Sequence, residues 1–101
     1  MKTEAIEITS FSLSKGLTID DFITANADVD IWLAKQPGFI LRRISQRKDG
    51  TVIDMLLWDT TEDAEKAARG IVTELANSPV HAAIDQSTVD WSVSVCRHSV
   101  N

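Results

Sequence analysis

The sequence predicts an α+β domain in which helices cover one face of a four-stranded antiparallel sheet, in the order β-α-β-β-α-β. Three observations carry this. An apolar helical stripe stops at Gln36-Pro37-Gly38, an Asp49-Gly50 pair separates two apolar runs, and a strictly alternating segment runs from Val89 to Val95. A chain of 101 residues has surface enough to bury one core and not two, so residues 1–101 are read as a single domain.

The first strand is residues 4–13, where β-branched and polar residues alternate until Ser14-Lys15-Gly16. Thr18 followed by Asp21 reads as a helix cap, with Asp20 and Asp21 where the helix dipole favours a negative charge. One helix is expected from there, with Ile19, Phe22, Ile23, Val29, Trp32 and Leu33 on its apolar face. It must stop before Pro37, because the residue preceding proline avoids helical angles. Phe39 to Arg47 and Thr51 to Asp59 form the second and third strands. Asp49 and Gly50 suit the positive φ angles of a two-residue type I′ turn. That turn would set Ser45 opposite Asp54, Arg43 opposite Leu56 and Leu41 opposite Trp58. Thr60 with Asp63 caps a second helix, whose face is Ala64, Ala67, Ala68, Ile71, Val72 and Leu75. Asn77-Ser78-Pro79 ends it, Val80 to Ile84 adds a turn, and the alternating run Val89, Trp91, Val93, Val95 closes the sheet.

Both faces of the central hairpin are apolar. The expected register places Phe39, Leu41, Arg43, Ser45, Val52, Asp54, Leu56 and Trp58 on one side, and Ile40, Arg42, Ile44, Ile53, Met55 and Leu57 on the other. One layer of helices covers only one side, so a second cover is needed. Two such sheets packed face to face would supply it, and a homodimer through the sheet face is the expected assembly.

Composition narrows the function. A net charge of −5 repels a phosphate backbone, so no nucleic-acid partner is expected. Arg42, Arg43, Arg47 and Lys48 are read as charges that keep a strand edge from pairing. No run approaches the roughly 18 apolar residues of a membrane span, and Met1-Lys2-Thr3-Glu4 has no leader character, so a cytoplasmic protein without a membrane partner is expected. Cys96 is the sole cysteine, which excludes an internal disulfide and is read as a small apolar filler. No His, Cys, Asp and Glu spacing suggests a metal, and no glycine-rich loop suggests a phosphate.

The element order is that of the ferredoxin-like fold. Gln36-Pro37-Gly38-Phe39, the Asp49-Gly50 hairpin and Trp58 before an acidic helix start resemble the antibiotic biosynthesis monooxygenase-like family of the dimeric α/β-barrel superfamily. That resemblance covers nearly the whole chain. It implies a dimer with a pocket between helices and sheet, and a superfamily that includes cofactor-free oxygenases, haem degraders and isomerases. The haem-degrading branch uses an asparagine on the first strand, a tryptophan in the second helix and a histidine after it. Here Thr9 and Asp85 stand near the first and last of those positions and the second helix lacks tryptophan, so no cofactor is expected.

The expected function is therefore a dimeric protein of this type that holds a small apolar ligand, with a cofactor-independent monooxygenase acting on a small aromatic or quinol as the alternative. For that chemistry Asp54 or His81 would take a proton as the catalytic residue, Trp32 and Trp58 would wall the pocket, and Asn26 and Arg43 would hold the resulting anion. Each also has a plain structural role open to it. Asp54 and Arg43 suit a salt bridge across the hairpin, Asn26 a hydrogen-bonded core amide, His81 a helix end, and the tryptophans, Trp91 among them, core packing.

Overall fold

A computed structural model describes residues 3–101; Met1 and Lys2, part of the segment read above for a leader, lie outside them. The described chain runs β1 (Ala5–Phe11), α1 (Ile19–Ala25), α2 (Ala27–Ala34), β2 (Phe39–Gln46), β3 (Val52–Trp58), α3 (Thr61–Thr73) and β4 (Asp90–Val95), with two short 3-10 turns before β4. The sheet has the order β2-β3-β1-β4 with every neighbour antiparallel, and the helices lie on one face. This is the expected α+β, ferredoxin-like architecture.

Both caps form as their residues predict. Thr18 and Asp21 make a reciprocal box, with the Asp21 amide donating to Thr18 Oγ1 at 3.2 Å and the Thr18 amide to Asp21 Oδ2 at 2.8 Å. Thr60 Oγ1 accepts from the Asp63 amide at 3.1 Å. The single helix expected after Thr18 is instead two, broken at Asn26 with φ −93° and ψ 4°. Asn26 Nδ2 donates to the Phe22 carbonyl at 2.7 Å, so a side-chain amide satisfies that acceptor where the helix would have used a backbone amide.

The hairpin corrects the expected register. Gly50 has φ 93°, while no residue other than glycine takes a positive φ among the described residues, so Asp49 cannot occupy a type I′ turn. Its carboxylate instead accepts from the Thr51 amide at 2.9 Å. The Gly50 amide closes a turn on the Arg47 carbonyl at 3.0 Å, and the Arg47 amide donates to the Thr51 carbonyl at 2.8 Å. The loop is thus Lys48-Asp49-Gly50, one residue longer than expected, and Asp54 pairs with Ile44 and Leu56 with Arg42. A shift of one residue turns every side chain to the opposite face. Arg42 and Ile44 therefore face the helices, whereas Leu41, Arg43 and Ser45 face away. An irregularity between Phe39 and Leu41 returns Phe39 to Trp58, where the rings meet edge to face at 5.5 Å.

The core lies between sheet and helices. Trp58, Phe22, Leu33, Val29 and Val52 are its largest fully buried side chains together with Asn26, and Phe11 packs on Phe22 with ring centres 5.1 Å apart. The opposite face of the sheet carries Ile6, Ile8, Leu41, Ile53, Met55 and Leu57, all at least partly exposed. Its apolar character survives the corrected register.

Candidate functional site

A cavity of about 630 Å³ opens between the sheet and the helices. Its floor includes Glu7 and Thr9 of β1, Arg42 of β2, Asp54 of β3 and Trp91 of β4, and its roof includes Phe22 and Asn26 at the end of α1 and Ala68 and Ile71 of α3. Alternation puts the polar floor residues there. Ala5, Glu7, Thr9 and Phe11 share the face of Val52, Asp54, Leu56 and Trp58, and the β1 pairings join Thr9 to Asp54 on one side and to Trp91 on the other.

Arg42 organises one half of this floor. Its Nε and Nη2 donate to Asp54 Oδ1 and Oδ2 at 3.0 and 2.6 Å, a two-pronged pairing that matches the planar guanidinium. Nη2 also donates to Asn26 Oδ1 at 2.8 Å, and Nη1 to Asp30 Oδ1 at 2.9 Å. The Arg42 and Asp54 side chains are only 10% and 11% exposed, whereas Asp30 is 59% exposed. Burial disfavours the Arg42 charge, but Asp54 first and then Asp30 outweigh it and hold the guanidinium above its ordinary value. Arg42 is committed within the protein, and a ligand anion would have to compete with two carboxylates for it.

Glu7 organises the other half. Trp58 Nε1 donates to its Oε1 at 2.8 Å and Trp91 Nε1 to its Oε2 at 2.7 Å. Burial raises its carboxyl above the usual 4.5, the two indole hydrogen bonds pull it down, Asp54 pushes it up and Arg42 pulls it down, and the net direction is upward. Indoles donate and never accept, so both Glu7 oxygens are fixed as acceptors and any proton it gains must come from elsewhere.

The candidate residues fall into two groups. Asn26 and Asp54 meet in the cavity through Arg42, and His81 borders it, with Nε2 2.8 Å from the Leu75 carbonyl. A carbonyl only accepts, so Nε2 of His81 carries a hydrogen and is engaged in holding the turn. Arg43 is not the partner of Asp54: it is exposed on the far side, its Nη1 donating to the Arg42 carbonyl at 2.8 Å. Trp32 and Trp58 do not wall the cavity. Trp32 lies against Gly70 of α3, where a Cβ would sit 2.6 Å from its ring, and Trp58 is fully buried beneath Glu7. Trp91, read as packing, does line the cavity and is 45% exposed. Glu7 and Arg42 escaped the sequence reading. Glu7 sits between Ile6 and Ile8, so alternation alone made it look solvent-facing, and Arg42 was on the wrong side of the assumed register.

Among the described residues no cluster of three or more His, Cys, Asp or Glu side chains is arranged to hold a metal, and no helix is long and apolar enough to cross a membrane.

Linkage to pH tests the Glu7 environment. A glutamate whose folded value is raised favours folding fully below its ordinary 4.5, and loses that contribution as the pH climbs through the raised value. Urea unfolding from about pH 4 to about pH 8 is expected to show wild type losing stability relative to Glu7→Gln as the pH rises. A difference that is flat or grows with pH would contradict the upward shift.

No family model matches the chain, and no curated protein matches it in sequence. Solved structures do. SnoaB from Streptomyces nogalater, a cofactor-independent oxygenase, superposes with TM-score 0.75 over 97% of each chain at 15% identity. The monooxygenase of the gene ActVA-Orf6 from Streptomyces coelicolor, in complex with nanaomycin D, superposes with TM-score 0.74 over 98% of this chain and 92% of its own at 16% identity. A conserved protein from Methanosarcina mazei Go1 superposes with TM-score 0.68 over 97% of this chain and 95% of its own at 9% identity. The protein has the fold of antibiotic biosynthesis monooxygenase-type proteins over essentially its full length.

Proposed function

We propose that the chain is a single domain that forms a homodimer, each subunit of which holds a small and largely apolar molecule between helices and sheet. The cavity of about 630 Å³ carries this reading. Its size is that of small-molecule sites, and its mixture of apolar walls with a few convergent polar groups is what orients a ligand. The neighbour that contains nanaomycin D has the same fold, which supports a small molecule in this kind of protein. A cytoplasmic location belongs to the same reading and suits the free thiol of Cys96.

The dimer follows from the open face. Among the described residues no helix lies over Ile8, which is exposed, or over Ile6, Leu41, Ile53, Met55 and Leu57, which are partly exposed. Removing about 300 Å² of such surface from each subunit, about 600 Å² in all, is worth on the order of 15 kcal/mol before association costs, at roughly 25 cal/mol per Å². A second copy of the same face is self-complementary around a twofold axis.

Oxygenase chemistry is a second reading, favoured by Glu7 and by the fold shared with SnoaB and the ActVA-Orf6 monooxygenase. Glu7 would take the hydroxyl proton of a phenol, and the electron-rich phenolate would pass electrons to dioxygen and form a ring carbon–oxygen bond. Glu7 would then return the proton to the peroxide, and loss of water leaves a quinone. One oxygen atom enters the product and the other leaves as water. Asp54 serves this reading less well, because it is ion-paired with the Arg42 guanidinium, whereas among the described residues Glu7 is hydrogen-bonded by neutral indoles.

Three measurements test these readings. N-phenyl-1-naphthylamine is expected to bind with enhanced fluorescence at one site per subunit, and Ala68→Trp, which fills the roof, to weaken it at least tenfold; undiminished binding in the variant would refute the cavity as its site. Equilibrium sedimentation is expected to give twice the 11.1 kDa protomer mass for wild type and a single protomer for Met55→Arg. A monomeric wild type at micromolar concentration would sink the dimer. Oxygen consumption with a panel of quinols and phenols is expected to be abolished in Glu7→Gln and to persist in His81→Ala; no turnover with any substrate would leave ligand binding without chemistry.

A further inference from the structure

Glu7 differs from the other charged groups in the cavity floor. Asp54 and Asn26 are both tied to Arg42, but among the described residues no Arg, Lys or His side chain pairs with Glu7. Among the described residues two indole N–H groups reach it, one from Trp58 beneath the floor and one from Trp91 on the cavity wall. Each carboxylate oxygen can accept more than the single hydrogen bond it receives. The carboxylate is thus held in place at the cavity by two neutral donors, with no cation hydrogen-bonded to it among the described residues.

The surrounding charges point the same way. The lining includes the carboxylates of Glu7, Asp54 and Glu65 against the guanidiniums of Arg42 and Arg69, and Arg42 is shared between Asp54 and the nearby Asp30. Glu65 and Arg69 are exposed, so an anion that reaches the buried part of the lining meets the carboxylates of Glu7 and Asp54 against the one guanidinium of Arg42, where water screens poorly. A donor group meets a fixed acceptor, and the face of Trp91 beside it suits an aromatic ring or a cation.

We propose that Glu7, braced by Trp58 and Trp91, is the polar anchor of the cavity and selects apolar molecules that carry a hydrogen-bond donor, a hydroxyl or an ammonium, over those that carry an anion. This rests on the cavity being a ligand site. Trp58 and Trp91 act as positioning residues: each holds the carboxylate by donating a hydrogen bond to one of its oxygens. Burial raises the proton affinity of this carboxyl, and the two indole hydrogen bonds oppose that rise.

A matched series separates this inference from the reading beneath it. Intrinsic tryptophan fluorescence and calorimetry would follow 2-methylnaphthalene, 2-naphthol, 2-naphthylmethylamine and 2-naphthoate. Both donor compounds are expected to bind at least tenfold more tightly than 2-methylnaphthalene, and 2-naphthoate more weakly than it. In Glu7→Gln the donor advantage should vanish while 2-methylnaphthalene still binds. A glutamine has one acceptor oxygen for two indoles, so Trp91→Phe serves as the second variant. It removes only one brace from a half-exposed position and is expected to reduce the donor preference and shift its pH dependence upward. Equal binding of all four compounds to wild type, or tightest binding of 2-naphthoate, would overturn the anchor role while leaving the cavity reading intact. Failure of all four to bind would overturn the cavity reading, and the anchor with it.

Discussion

A buried guanidinium tolerates its surroundings only when they are built around it, and Arg42 is the group around which this protein's interior is arranged. Its hydrogen bonds join three elements that are distant in sequence: Asp54 on β3, Asn26 at the break between α1 and α2, and Asp30 within α2. A charge pair buried this deeply is a weak source of net stability, yet loss of one partner costs about 3–5 kcal/mol because the other is stranded. The pair therefore acts as a constraint. It ties β2 and β3 to the break between α1 and α2, where Asn26 interrupts the helix with both ends of its side-chain amide hydrogen-bonded. Among the described residues, no buried side-chain nitrogen or oxygen lacks a partner.

The space left by this arrangement is the cavity. The cavity lies between the end of α1 and the small Ala68 of α3 on one side and Glu7, Thr9, Arg42, Asp54 and Trp91 of the sheet on the other. Trp32, which is large enough to fill it, is drawn instead against Gly70, where the missing side chain admits its ring. Trp58 is likewise removed from the cavity and spends its N–H on Glu7. The aromatic residues thus support the site from behind, with Trp91 alone among the tryptophans reaching its wall.

Shared fold and shared chemistry are separate matters here. The fold delivers a curved sheet with one covered face and one bare face, and a gap beneath the helices, whatever side chains line it. In this chain the cavity lining divides into a half in which Arg42 holds Asp54 and Asn26, and a half in which Glu7 lies between two indoles. Any activity it has must start from that asymmetry.

Much of the fold was legible because local rules wrote it. Thr18 with Asp21 and Thr60 with Asp63 cap helices whether or not a sheet lies beneath them, Pro37 stops a helix by sterics, and the alternation of Val52, Asp54, Leu56 and Trp58 assigns a common face. The two-sided apolar hairpin was visible for the same reason, as were Asn26 and Asp54 as residues out of place in apolar company. The register of β2 was not. It turned on whether Asp49 adopts a positive φ or uses its carboxylate on the Thr51 amide, alternatives close in energy locally. Tertiary structure decided between them, since the three-residue loop turns Arg42 inward to Asp54 and Asn26, while the two-residue loop would have buried Arg43 in its place. Glu7 was hidden for a related reason: its acceptor role exists only because Trp58 and Trp91, 51 and 84 residues away, converge on it. The sequence by itself determined the elements and their order, through interactions within a few residues. Only the folded chain decided which charges meet, because a one-residue slip in a strand exchanges its faces and long-range pairing alone chooses between them.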